Sequence, residues 1–376
     1  MQTVRGTVFV LALALPLASF APRTTLAAQS AQVTWKESTY HPGLQLPANL
    51  KKKIYYIESY YADINHRFMA AGAEIAFKEL GWDYEILNPE NDLATQIKMI
   101  EDSVAKGDMD GMIINAVDPG GVAASLKKVM DKGIPVVIMD RWPTLGKPVF
   151  GVGSNWYQEG ELTTKQMIKL LTDKYGQPKG KVIAIVTGLE NNAIRQRYVA
   201  FKDIMPKYPN IQVIEKTAPE DPVKCAQVLK DALLANPDVD AIWNIVDYFG
   251  MNFVQTMKEI HKAYPVGDPK HIILCSQDGT DWALQAIRDG FFDSTVSHYL
   301  IDFGYMCTWA LGQHFGGKTD GFKVGPFNLP SAGWNGSMVR DYKNGNYLEL
   351  NTILVTKANV DDATLVGNRV KEFLKN

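Results

Sequence analysis

From Lys51 onward, short apolar runs alternate with longer stretches in which apolar residues recur three and four positions apart. The runs read as buried strands and the longer stretches as amphipathic helices. Ile54–Ile57, Tyr84–Leu87, Met112–Asn115 and Val136–Met139 predict strands, with helices between them at Arg67–Leu80, Asp92–Ala105 and Gly121–Asp131. Gly81 and Gly133 are placed to stop the first and third helices. The same order then returns. Val182–Val186, Gln212–Glu215, Ala241–Ile245 and His271–Cys275 predict strands, and Ala193–Met205, Pro222–Leu234 and Phe249–His261 predict helices. Alternation of this kind means βαβ units and a parallel sheet. Polar strand-end residues keep step between the halves: Ser59 with Thr187, Asp118 with Asp247, and Asp140 with Asp278 after an insertion at Tyr264–Lys270. A repeat this long describes two copies of one fold, because solenoid periods run only about 20–50 residues.

Past Gly290 come a further strand, Ser294–Tyr299, and an aromatic-rich helix, Phe303–Phe315. A Gly/Pro/Asn-rich region (Gly316–Gly345), a β-rich run (Leu350–Thr356) and a last helix (Asp361–Leu374) follow. The chain therefore re-enters a lobe it has already built. The expected fold is α/β, with two similar Rossmann-like lobes, parallel sheets, and a three-segment hinge around a ligand cleft. Residues 50–154 and 300–346 are expected in the first lobe, and 155–298 and 351–376 in the second. The crossings are expected near Ser154-Asn155, near His298-Tyr299 and near Asn346–Asn351. Ligands of open parallel sheets bind beyond the carboxyl ends of the strands. The loops expected to face the cleft are thus Ser59–His66, Asp118, Asp140-Arg141, Asn191–Arg197, Asn244–Asp247 and Gln277-Asp278.

The N-terminus changes the picture. Arg5 precedes an apolar run, Val8–Ala21, broken only by Pro16 and Ser19. It is too short for a bilayer, which takes about 20 residues, and it fits a signal-peptide core. Small residues Ala27, Ala28, Ser30 and Ala31 follow. Residues 1–28 therefore read as a signal peptide cleaved near Ala28, giving a soluble exported protein, periplasmic in a Gram-negative cell. Charge excludes other classes. Lys and Arg total 39 against 41 Asp and Glu, a net of −2, without the basic excess of a nucleic-acid binder. A repressor built on such lobes would carry a helix-turn-helix where this chain has its signal. Cys225, Cys275 and Cys307 are odd in number and lack zinc spacing. No HExxH, GxSxG or P-loop occurs, and Gly151-Val-Gly153 lacks the third glycine of a dinucleotide fingerprint. No catalytic residue, cofactor or metal is expected.

An ordered set of motifs carries a family resemblance. In the first half they are Phe68-x3-Gly72-Ala73, Lys78-Glu-Leu-Gly81, Gly111-Met-Ile-Ile-Asn115, Gly133-Ile-Pro-Val-Val-Ile-Met-Asp140-Arg141 and Gly153-Ser-Asn155. In the second half they are Arg195-Gln-Arg197-x3-Phe201, Asn236-Pro-Asp-Val-Asp-Ala241, Asp278-Gly279, Asp289-Gly290-x4-Thr295-Val296 and Val355-Thr-Lys-Ala-Asn359-Val360. From about Lys52 to Val360 the chain resembles a type I periplasmic binding protein of the ribose- and galactose-binding kind. The resemblance implies that Asp140 and Arg141 grip sugar hydroxyls from the first lobe, and that Arg197, Asp278 and His298 do so from the second lobe and hinge. It implies a sugar or polyol ligand, a membrane ABC transporter permease as partner, no nucleic acid, and a monomer. His298 stands where the ribose-binding pattern usually has Gln. Asp63-Ile64-Asn65-His66 replaces an Asn-Pro-Phe-Phe-like stretch, so Asp63, Asn65 and His66 become candidates and Tyr60, Tyr61 or Trp156 is left to stack on a ring. The family's second-lobe asparagine falls at Asn244 or at Val246, depending on the gap.

Several of the candidates have a purely structural alternative. Asp140-Arg141 is also a plausible surface ion pair, and Arg197 a partner for Glu190 or Asp203. Asp278 suits the cap of a helix starting near Thr280, and His298 a core position. Three functions are carried forward: an exported solute-binding protein of an ABC importer, a periplasmic sensory subunit with the same site, and an exported glycosidase using Asp140 and Asp278 as acid and base.

Overall fold

The computed structural model describes residues 50–370 apart from 143, 319 and 343. The signal-peptide reading and residues 371–374 of the expected last helix lie outside the described residues. The first half runs β1 (Lys53–Ile57), α1 (Ile64–Leu80), β2 (Asp83–Leu87), α2 (Leu93–Lys106), β3 (Gly111–Ile114), α3 (Ala123–Asp131), β4 (Val136–Met139) and β5 (Phe150–Ser154). Helix α4 (Trp156–Tyr175) leads into β6 (Gly180–Val186), α5 (Asn192–Ile204), β7 (Ile211–Thr217), α6 (Pro222–Ala235) and β8 (Ala241–Asn244). Next come α7 (Asp247–Gly250), α8 (Phe253–Glu259), β9 (Ile273–Cys275), α9 (Asp281–Arg288) and β10 (Ser294–Ser297). Helix α10 (Leu300–Phe315) and strands β11 (Gly325–Phe327), β12 (Ser337–Tyr342), β13 (Gly345–Leu350) and β14 (Ile353–Thr356) follow.

These strands form two sheets. One has the order β11-β12-β13-β5-β4-β3-β1-β2, the other β14-β10-β9-β8-β6-β7. Pairing is parallel from β2 through β13 and from β7 through β10, while β11, β12 and β14 add antiparallel edges. Continuous apolar strands suit a sheet covered on both faces. In β1, Ile54 and Tyr56 pack in the cluster of α1 and α10, whereas Tyr55 and Ile57 pack in the cluster of α2 and α3. One cluster spanning both faces of its sheet fills the second lobe.

The chain crosses between sheets at Asn155, at His298-Tyr299 and at Asn351-Thr352. The third crossing is narrower than the expected Asn346–Asn351, because β13 pairs with β5 through Leu350. After the second crossing, α10 returns to pack on α1. Gly72 and Gly304 allow that approach: a Cβ at either would collide with a backbone carbonyl oxygen of the facing helix, at Ile301 or Met69. Two further expectations fail. Helix α4 and strands β11 and β12 were not read from the sequence. Residues 361–369 form turns and a short 3-10 segment, Val366–Arg369, and α-helix is assigned only at Val370, so the expected helix starts later than Asp361. There the Asn368 amide donates to the Val360 and Asp362 carbonyls, and Arg288 holds Asp361.

Candidate ligand-binding site

Loops at the carboxyl ends of the strands meet around a cavity of about 70 Å³. After β1, Asp63 caps α1 by accepting from Asn65 N at 3.0 Å, which fixes Asn65 and His66 in the first helical turn. After β4 come Asp140 and Arg141, and α4 opens with Trp156. After β6, Asn191 caps α5 by accepting from Ala193 N at 2.9 Å, and Arg197 sits in the next turn. Val246, Asp278 and His298 follow β8, β9 and β10. All of these line the cavity, with Met69, Ile194 and Leu300 as apolar wall. An outer chamber of about 260 Å³ shares Asp63, His66 and Arg141 with it and adds Tyr60, Asp118, Glu190, Glu220, Tyr248 and Phe249. Tyr60 and Tyr248 meet edge to face across it, ring centres 6.4 Å apart.

Asn244 alone among the candidates is not in the cavity. Fully buried, its amide donates to the Val246 carbonyl at 2.6 Å and to Ser276 Oγ at 2.8 Å, so it props the loop that carries Val246. Trp156 lines the inner chamber and Tyr60 the outer, whereas Tyr61 packs in the first lobe's core.

The charged groups are held in pairs. Arg197 Nε donates to Glu159 at 2.8 Å, Nη2 lies 2.9 Å from Asp278 Oδ1, and Nη1 donates to the Ile245 carbonyl at 3.2 Å. His298 Nδ1 lies 2.7 Å from Glu159, and Nε2 lies 3.1 Å from Asp278. The Trp156 ring lies 5.2 Å from the Arg197 guanidinium, with His298 edge-on at 5.4 Å. Arg197 thus pairs with Glu159 and Asp278, not with Glu190 or Asp203. Asp278 gives its carboxylate to Arg197 and His298, while Thr280 occupies the cap position of α9. On the first lobe, His66 Nδ1 lies 2.7 Å from the fully buried Glu58, which also accepts from Tyr56 Oη. Arg141 Nη1 donates to the carbonyls of Ala116 at 3.0 Å and Val117 at 3.3 Å, with Nε 3.4 Å from Asp140.

Burial disfavours charge on each of these groups, so the sign of each shift shows which neighbour wins. Burial works against His298, but Glu159 and Asp278 outweigh it and raise the imidazole to about 9. His66 is also raised, Glu58 overcoming burial. Burial opposes charge on Asp278 too, yet Arg197 and His298 hold it below the usual carboxylate range. Burial wins at Asp140, which is raised despite Arg141. Asp247, behind Asp278, is pushed up to about 7 by burial and by that neighbour's charge.

Sequence reasoning missed Glu58 and Glu159. Glu58 follows β1 directly, so its position at a strand end was a usable signal. Glu159 lies in the unread helix α4. Among the described residues, no three His, Cys, Asp or Glu are grouped to hold a metal ion.

Several groups remain to meet a solute. Asp140 Oδ1 and Asn65 Oδ1 are buried in the wall with no hydrogen-bond partner among the described residues. Arg141 and Arg197 keep N–H groups beyond those bonded, and His66 keeps Nε2.

The chain matches the periplasmic binding protein domain over residues 55–319, well over half its length. It belongs to the periplasmic binding protein family. The ribose import binding protein of Bacillus subtilis is 26% identical over 272 residues, 71% of this chain and 84% of that protein. The D-apiose import binding protein of Paraburkholderia graminis is 23% identical over 223 residues, 58% of this chain and 67% of that one. A carbohydrate transporter solute-binding protein from Agrobacterium radiobacter, solved with D-arabinose, shares the fold at a TM-score of 0.68. It is 19% identical and covers 83% of this chain and 96% of its own. As in that structure, a periplasmic binding protein of this kind has two α/β lobes, here the two sheets with their helices.

Proposed function

We propose that this periplasmic binding protein captures a sugar or polyol and delivers it to a membrane ABC importer. One observation carries the reading: Asp140 and Arg141 from the first lobe face Arg197, Asp278 and His298 in one cavity, with Asp140 Oδ1 unpartnered among the described residues. A hydroxyl both donates and accepts, so it needs acceptors and donors side by side. Asp140 and Asn65 accept, while Arg141, Arg197 and His66 Nε2 donate. His298, with both ring nitrogens engaged, meets the solute through its ring and holds Asp278 in place. Asp63 adds a carboxylate at the cavity rim. The names of the relatives, import binding proteins for ribose and D-apiose, support the solute class and the transporter partner.

The solute leaves unchanged. Asp278 Oδ1 is bound by Arg197 and His298, and Oδ2 accepts from Asp247 N at 3.1 Å, an arrangement for holding rather than for attack at carbon. The protein acts as a monomer, one chain completing the site. It works in the periplasm, exported by the segment around Val8–Ala21 and cleaved near Ala28.

A thermal-shift screen of the mature protein with pentoses, hexoses and polyols tests this, since a ligand of the native state raises the midpoint. For a compound that binds, Asp140→Ala and Arg141→Ala each weaken calorimetric affinity by about 3 kcal/mol, roughly a hundredfold, with circular dichroism unchanged. Mass spectrometry recovers the compound intact after incubation with stoichiometric protein. Affinities near wild type in both variants, or a product that disappears with Asp278→Asn, sink the reading.

A further inference from the structure

The charges around the cleft do not balance. Each inner cation already has a carboxylate: His66 has Glu58, Arg141 has Asp140, and Arg197 and His298 share Glu159 and Asp278. Asp63 lines both chambers and forms no ion pair among the described residues. Its recorded partner is the backbone N–H of Asn65. The outer chamber, which shares His66 and Arg141, adds Asp118, Glu190 and Glu220 at its solvent-exposed rim. Counting the supports Glu58 and Glu159, the five carboxylates not exposed to solvent face four cationic side chains even with both histidines protonated, and Asp63 is the one left over.

Charges at the exposed rim are screened by solvent, whereas the unpaired Asp63 carboxylate, half-buried against the inner wall, is screened less and acts on whatever binds there. An anionic solute is repelled. A purely hydroxylated solute leaves the surplus uncompensated. A cation is attracted, and the rings of Tyr60 and Tyr248 at the outer chamber offer further faces to it. The built part of the site is the inner wall, where Asp140 is only 7% exposed and its Oδ1 has no partner.

Resting on the reading of this cleft as the solute site, we propose that its solute carries a protonated amino group on a hydroxylated ring, and that Asp63 is the carboxylate that pairs with it. Burial and the charge of Asp278 hold the Asp63 carboxyl above its usual range, against the pull of His66 and Arg141. An ammonium beside it reverses that.

Calorimetry on the mature protein compares D-glucose, D-galactose and D-mannose with their 2-amino derivatives and their uronates. At least one amino sugar should bind tenfold or more tighter than its parent, and the uronates should bind worst. Asp63→Asn keeps a good helix cap, as does Asp63→Ser. In both, the ratio of amine to parent affinity should fall to within about threefold of unity. A parent binding as tightly as its amine, or a ratio unmoved in both variants, overturns the amine inference while leaving the sugar reading in place. No binding by any of these compounds, together with a blank thermal-shift screen, overturns both.

Discussion

His298 stands at the second crossing between the sheets and reaches in three directions. It is 3.3 Å from Ser154 on the first lobe's β5, 2.7 Å from Glu159 on α4, and 3.1 Å from Asp278 after β9. Its imidazole is raised to about 9 because these carboxylates outweigh burial. The ordinary value is near 6.5. A raised histidine contributes stability that is complete below about pH 6.5 and is lost as pH climbs through about 9. That loss amounts to at most about 3 kcal/mol. Urea unfolding of the ligand-free protein should therefore show a fall in stability between pH 6.5 and 9. His298→Gln should flatten it, and an equal fall in the variant would refute the assignment. At this scale the sequence showed the groups at strand ends, since position alone put Asp140, Arg141 and Asp278 in the cleft. It hid their counter-ions. Glu58 and Glu159 are fully buried, and nothing in a string of letters marks a carboxylate as interior until its partner is placed.

Helix α4 shows why one element was illegible. Its buried face reads Trp156, Glu159, Gly160, Thr163, Thr164, Met167, Ile168 and Leu171. Half of that stripe is polar or small, because it packs on α5 and carries the ion network, so the apolar period appears only in the last two turns. The edge strands β11 and β12 were hidden differently. Pro326 is tolerated at an edge, and β12, itself paired to β13, supplies the partner that the Gly/Pro/Asn-rich surroundings do not announce. Residues 361–369 err the other way, since the Asn368 amide and Arg288 satisfy carbonyls that an earlier helix start would have used. The regular βαβ units were legible because their inner strands are almost continuously apolar. Within α4, Gly160 sets the helix spacing: a Cβ there would collide with the Arg197 carbonyl oxygen. Gly160→Ala should cost about 1–3 kcal/mol of stability through overpacking. It should also weaken solute binding more than an exposed α4 change such as Lys169→Ala, because it pushes Arg197 away from Glu159. Unfolding curves and calorimetry on the two variants check this, and wild-type behaviour in Gly160→Ala would contradict the packing argument.

At the scale of the whole molecule, the closed cleft has opposing terms. Apposition of the strand-end loops sets Tyr60 against Tyr248 and forms the cavity wall. It also encloses Asp63 and Asp278, whose charges act against each other, and leaves Asp140 Oδ1 and Asn65 Oδ1 buried without partners. An unsatisfied buried polar group costs about 1–3 kcal/mol. The empty protein should therefore favour an open form, and a solute that fills those bonds should pull it shut. Only a ligand with differential affinity for the closed state can do so, and a swing from 1:99 to 99:1 needs about 5.5 kcal/mol of it. The three short crossings at Asn155, His298-Tyr299 and Asn351-Thr352 are the segments free to absorb the change, while the two sheets move as rigid bodies. Small-angle scattering should show a smaller radius of gyration with saturating solute than without. An unchanged radius, with binding confirmed by calorimetry in the same sample, would mean that the cavity is preformed and that the penalties of the empty closed cleft are met by water instead.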